Sequence, residues 1–213
     1  MMERRVRELR SIKLGDQPLF FQRRRLDVMI SATIALALML AAEGAPVQQP
    51  TFTPSANPVS DAARARMARE PRHLIAAAEL LPAEKYSYRP TPAQMTFGDL
   101  IAHIVQTNMF LCAAASATPA PMSPPEIKKI AGTDGKDALV AAMKKSFDYC
   151  TEGFAKLQDA ALGEEASLFG QKAGMSRGAA LVTILVDWAD HYSTAASYLR
   201  LNGLLPPSAA PKK

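Results

Sequence analysis

Residues 112–150 read CAAASATPAPMSPPEIKKIAGTDGKDALVAAMKKSFDYC, and they begin and end on the only two cysteines of the 213-residue chain. The two ends of this stretch belong to helical patterns; its middle does not. Upstream, Thr96 and Asp99 have capping-box spacing, and Leu100, Ile101, Ile104, Val105, Leu111 and Cys112 form a broad apolar arc. Downstream, Asp134 is placed to cap a helix from Asp137 to about Leu157 that carries Leu139, Val140, Met143, Phe147 and Phe154. Between them, Ala117–Gly135 is Pro-rich and too long for a tight helical hairpin. At roughly 3.3 Å per residue, its nineteen residues reach about 60 Å, enough to return along a bundle.

The cysteines point the same way. Cys112 lies fifteen residues beyond Phe97 and Cys150 fourteen beyond Lys136, which at about 1.5 Å per residue is some 21–23 Å into each helix. Parallel helices bring these sulfurs level, whereas antiparallel ones set them near opposite ends. A disulfide between the two cysteines of an exported chain therefore agrees with the long loop. The alternative is a pair of separate buried thiols, because packed helix axes lie about 8–10 Å apart and bridged Cα atoms within about 7 Å. Ala113, Ala114 and Ala115 would permit the closer approach.

Two more amphipathic segments flank this unit. Ser60 is placed to cap a first helix ending near Leu81, before Pro82, with Met67, Leu74, Ala78 and Leu81 on its apolar face. Ser176 is placed to cap a fourth, in which Leu181, Ile184, Leu185, Trp188, Tyr192, Ala195 and Leu199 share a face, and Asn202-Gly203 marks its end. No segment alternates like a strand for long. The expected fold is all-α: a four-helix bundle over residues 60–204, ordered up-down-down-up with a long crossover between helices 2 and 3. Residues 205–213 read as a flexible tail.

Ahead of the bundle, Arg23–Arg25 precede an uncharged run, VMISATIALALMLAA, over residues 28–42. Fifteen residues fall short of the roughly twenty that span a bilayer, so residues 1–44 read as a signal peptide cleaved near Gly44. The alternative is a membrane anchor through residues 28–42. Either reading places the bulk of the chain outside the cytoplasm, periplasmic or secreted. Residues 45–59, rich in Pro, Gln, Ser and Thr, read as a linker. The net charge of +5 loses its apparent meaning in this division. Residues 1–44 carry eight basic and five acidic side chains, and Lys212 and Lys213 supply the rest of the excess. Residues 45–211 hold fifteen of each sign, which excludes a basic nucleic-acid-binding surface. No membrane contact beyond the N-terminal segment is expected.

The chemistry rests on few residues. Asp187 and His191, four apart on the fourth helix, project from one flank of its apolar stripe, and His103 occupies the corresponding flank of the second. This N, O, N donor set suits a divalent ion such as Zn or Ni and leaves coordination positions open. The same residues could instead form a hydrogen-bonded interior pair. Asp190 is either an orienting partner for an imidazole or a solvated charge, and His73 reads as a rim residue. No nucleophile elbow, P-loop or dinucleotide fingerprint is present, and no catalytic base stands out.

Three stretches, AELLPAEKYSYRPTPAQMTFGDLIAHIVQTNMFLC, KKSFDYCTEGF and DHYSTAASYLRLNGLLPP, together resemble the DinB-like superfamily, and within it exported members with a cysteine in each corresponding helix. The resemblance covers roughly residues 60–207. It implies the up-down-down-up bundle and a divalent metal held by one His on the second helix and two on the fourth. His103 and His191 match two of those positions, while Asp187 stands where the family has the other His. It also implies a metal-dependent transferase, isomerase or hydrolase activating a thiol or water, and is compatible with a homodimer. An exported, disulfide-bonded chain fits hydrolysis or plain metal binding better than transfer of a cytoplasmic thiol. A non-catalytic envelope protein that binds a small ligand or a protein partner is the alternative.

Overall fold

The computed structural model describes residues 52–210, so the expected signal peptide or anchor, the first seven residues of the linker and the last three residues of the tail lie outside the described residues. Within them are helices α1 (Pro58–Met67), α2 (Glu70–Leu80), α3 (Phe97–Ser116), α4 (Pro124–Lys129), α5 (Lys136–Ala155) and α6 (Arg177–Leu201), and a hairpin, β1 (Glu165–Leu168) and β2 (Gln171–Ser176). Among the described residues no helix is long and apolar enough to cross a membrane.

The caps of α3 and α6 form as their sequences predict. Thr96 Oγ1 accepts from Asp99 N at 3.0 Å while Asp99 Oδ2 accepts from Thr96 N at 3.3 Å, and Ser176 Oγ accepts from Ala179 N at 3.1 Å. α6 ends in a Schellman motif: Gly203 has φ 73°, Leu204 N donates to Leu199 O and Gly203 N to Arg200 O.

Three expectations about the helices are corrected. The single first helix is two, because Pro71 has no N–H and its ring would clash with the preceding turn; the chain restarts α2 with this Pro in its first turn. Nor does Ser60 cap α1. Asp159, far along the chain, accepts from Val59 N and Ser60 N at 2.9 and 2.8 Å and from Ser60 Oγ at 2.6 Å. Burial opposes ionisation there, but these donors hold the Asp159 carboxyl below its ordinary range. The cap position of α5 is Gly135, with φ 88°, rather than Asp134, whose carboxylate turns back to Ala131 N at 3.0 Å.

The all-α expectation is corrected by the hairpin. β1 and β2 are antiparallel, and Leu168 and Gln171 flank a two-residue turn with Phe169 at φ 51° and Gly170 at φ 79°. Both positive φ values mark a type I′ turn, which matches the strand twist. Only Ala166 of the two strands is buried, so no alternating pattern betrays them. Beyond α6, Pro206 is buried, Pro207–Ala209 is a 3-10 turn, and Ser208 N donates to Tyr192 Oη at 2.7 Å.

Side-chain pairs fix how the long helices run. Asn108 meets Ser146, Cys112 meets Cys150, and Ser116 lies against Gly153, so α3 and α5 are parallel. The disulfide joins Cys112 and Cys150 across a Cα–Cα distance of 5.3 Å. In contrast, α6 runs antiparallel to α3: Arg177 donates to Ala115 O and Ser116 O, Trp188 to Asn108 Oδ1, and Tyr198 to Met95 O. Arg177 thereby satisfies terminal carbonyls of α3 from the start of α6.

The crossover is anchored twice. Ile127 on α4 is fully buried, and Gln106 Nε2 donates to Ile130 O at 2.8 Å. Beyond it, Gly132 presses on the first turn of α3; a Cβ there would overlap Asp99 and come within 2.7 Å of Gly98 C, while one on Gly98 would overlap Gly132 O. Gly132→Ala should therefore lower stability by about 1–3 kcal/mol, read as a lower urea midpoint at unchanged slope. An unchanged midpoint would show that the crossover is not seated there.

Candidate metal centre

The antiparallel seam between α3 and α6 places His103, Asp187 and His191 together. One ligand atom from each can be chosen so that all lie within 4.8 Å of one another. The two imidazoles meet edge to face, with centroids 4.9 Å apart. His191 and Asp187 are 13 % and 22 % exposed, so the cluster sits just below the surface.

The hydrogen bonding is incomplete in an informative way. His191 Nε2 is 3.1 Å from Asp187 Oδ1, yet this contact is too poorly aligned to be a hydrogen bond. Nε2 of His191 and Oδ2 of Asp187 are the buried side-chain polar atoms that have no hydrogen-bond partner among the described residues. Orphaned buried groups of this kind cost about 1–3 kcal/mol each, so the structure supports neither a satisfied interior pair nor simple burial. A cation between two imidazoles and a carboxylate meets the need of both atoms, and the donor set fits a borderline divalent ion.

Burial, then the neighbouring His191, pushes the His103 pKa down, against the opposing pull of Asp187. The neutral ring is the form that ligates. Thr107 Oγ1 donates to His103 O at 2.8 Å and lies 3.4 Å from Nε2. Asp190 does not orient the imidazole: its carboxylate is 75 % exposed and 3.8 Å from His191 Nδ1. His73 is half-buried and stacks on Tyr192 at 5.0 Å, a partner its sequence neighbourhood does not reveal.

Beneath the cluster lies a polar relay that sequence reasoning missed. Trp188 Nε1 donates to Asn108 Oδ1 at 2.7 Å, Asn108 Nδ2 donates to Ser146 Oγ at 2.9 Å, and Ser146 Oγ donates to Met143 O at 2.8 Å. All three side chains are buried, and the relay fixes α3, α5 and α6 at one level. Trp188 directly follows Asp187, so the relay also sets the height of the carboxylate against His103. The available signal was Asn108 on an otherwise apolar arc, one turn before Cys112.

Similarity to known proteins agrees with this architecture. Two solved structures, both DinB-like proteins, are alike in fold. The one from Bacillus cereus has a TM-score of 0.55 at 17 % identity, covering 69 % of this chain and 95 % of its own. The one from Bacillus subtilis has a TM-score of 0.53 at 19 % identity, covering 67 % and 92 %. A variant of the mycothiol-dependent maleylpyruvate isomerase follows at 0.50 and 15 %, covering 63 % and 59 %. No curated protein matches in sequence. The family profile of the DinB superfamily matches residues 66–195, which hold α2 to the last donor of the cluster and beyond, and the chain belongs to that superfamily.

Proposed function

We propose that His103, Asp187 and His191 hold one divalent cation, zinc or nickel, and that the protein is a metal-dependent DinB protein of the cell envelope acting on a small molecule. The observation that carries this reading is the pair of buried, unpartnered atoms on Asp187 and His191 gathered with His103. When bound, such an ion lowers the pKa of a coordinated water or thiol and polarises an acceptor, the chemistry of hydrolysis or group transfer. The chain's own part is to supply two imidazole nitrogens and one carboxylate, and to fix their spacing through the seam and the relay. A cleft of about 380 Å³ opens beside His103, room for a small ligand. The disulfide supports an oxidising compartment, in keeping with export ahead of a cleaved or anchoring N-terminal segment. The helix pairings support an up-down-down-up four-helix bundle. A non-catalytic ligand-binding role is the second reading; it is favoured by the absence of Lys, Tyr and Cys from the cleft lining.

Elemental analysis tests the metal. The protein dialysed against zinc should retain about one ion per chain, and His103→Ala and His191→Ala should each retain almost none. Asp187→His should hold zinc more tightly than the native chain. Equal, substoichiometric zinc in all four proteins would sink the reading.

A further inference from the structure

The cleft beside His103 has walls of a definite chemistry. Its apolar surface comes from Met95, Ala102, Ile130 and Ala131, contributed by the residues before α3, by α3 and by the crossover. Its polar side chains are Asp99, Gln106 and His103, and no Lys or Arg lines it. Asp99 Oδ2 is taken by Thr96, leaving Oδ1 without a hydrogen-bond partner among the described residues. Gln106 spends one amide N–H on Ile130 O, which ties its side chain in place and leaves its carbonyl oxygen and second N–H for a ligand. The lining therefore presents one carboxylate, unopposed by any Lys or Arg, beside an apolar floor. The walls are also pre-set, since Gln106 ties the crossover to α3 and the Gly98–Gly132 contact closes their separation.

We infer that this cleft is the subsite for the organic part of the ligand, and that it selects a compact apolar molecule bearing a cationic amine directed at Asp99 rather than an anionic one. A carboxylate or phosphate there would face the Asp99 carboxylate with no Lys or Arg beside it to offset the repulsion, whereas an ammonium pairs with Asp99 and donates to Gln106 Oε1. This inference rests on the proposed site only for what happens at His103; the selection belongs to the cleft itself.

The test uses cyclohexylamine and cyclohexanecarboxylate, which share an apolar ring and differ in head-group charge. Their binding to the metal-free and the zinc-treated protein is followed through the methyl resonances of Ala102, Ile130 and Ala131. The amine should shift these signals and bind at least about fivefold more tightly than the carboxylate. Asp99→Asn, which keeps an oxygen for the Thr96 cap, should bring the two within about twofold. Ala131→Leu, which fills the cleft and leaves the cap alone, should abolish the amine shifts. Equal or tighter carboxylate binding by the native protein overturns the inference, as do amine shifts that survive Ala131→Leu. Because the metal-free protein carries the comparison, a failure to bind zinc leaves this result readable. Zinc binding without amine preference overturns this inference alone.

Discussion

Trp188→Ala should lower stability by about 3–5 kcal/mol, the range for emptying a fully buried aromatic site. For a domain of this size that is a fall in Tm of roughly 6–20 °C. The indole is completely buried between Phe147 and Phe154, with ring centroids 5.5 and 6.0 Å away, so the neighbours cannot collapse into the space without moving α5. The substitution also leaves Asn108 Oδ1 without its donor. Trp188→Phe separates the two costs: it retains most of the apolar area and should lose about 1–3 kcal/mol through the orphaned amide oxygen. A Phe variant as stable as the native protein would mean that the relay contributes nothing. Zinc titration adds a readout that packing alone would not move. At a temperature where the Phe variant is folded, its zinc affinity should still fall, because Asp187 is no longer held at its height on α6.

Removing the disulfide should have an effect of similar size. Cys112 and Cys150 are 38 residues apart, and closing a loop of that length in the unfolded chain corresponds to about 4 kcal/mol in the chain-entropy account. The Cys112→Ala, Cys150→Ala double variant should therefore unfold at a clearly lower urea midpoint, and reductant should shift the native midpoint but not the variant's. Both cysteines are consumed by the bridge, so neither should be alkylated until the protein is reduced. Two alkylatable thiols in the oxidised protein after unfolding would contradict the bridge.

The parts of the fold legible in the sequence are those set by local chemistry. Thr96 with Asp99, Ser176, and Asn202-Gly203 act within a few residues of themselves, and each forms the cap or stop that its spacing predicts. The parallel run of α3 and α5 was legible because loop length and cysteine depth constrain it together. Asp159 capping α1 was not, since the donor groups and the acceptor are remote in the chain. The hairpin hid for a different reason. A type I′ turn usually carries Asn-Gly, but here Phe169 takes the first left-handed position, offset by its edge contact with Phe110 at 5.6 Å. At the site, helical spacing brought Asp187 and His191 together and only the seam brought His103. The cleft wall could not be read at all, because it depends on two glycines from distant segments touching.

The crossover also governs when the site comes into being. His103 precedes it, and Asp187 and His191 lie beyond both it and the hairpin. Before α6 docks, the chain offers an ion only His103 by itself or the pair one turn apart on α6, too few donors to hold it firmly. The third donor arrives when α6 docks antiparallel on α3, the contact of longest sequence separation among those that build the centre. Ion capture would thus come at the end of folding, locking a finished structure instead of seeding one.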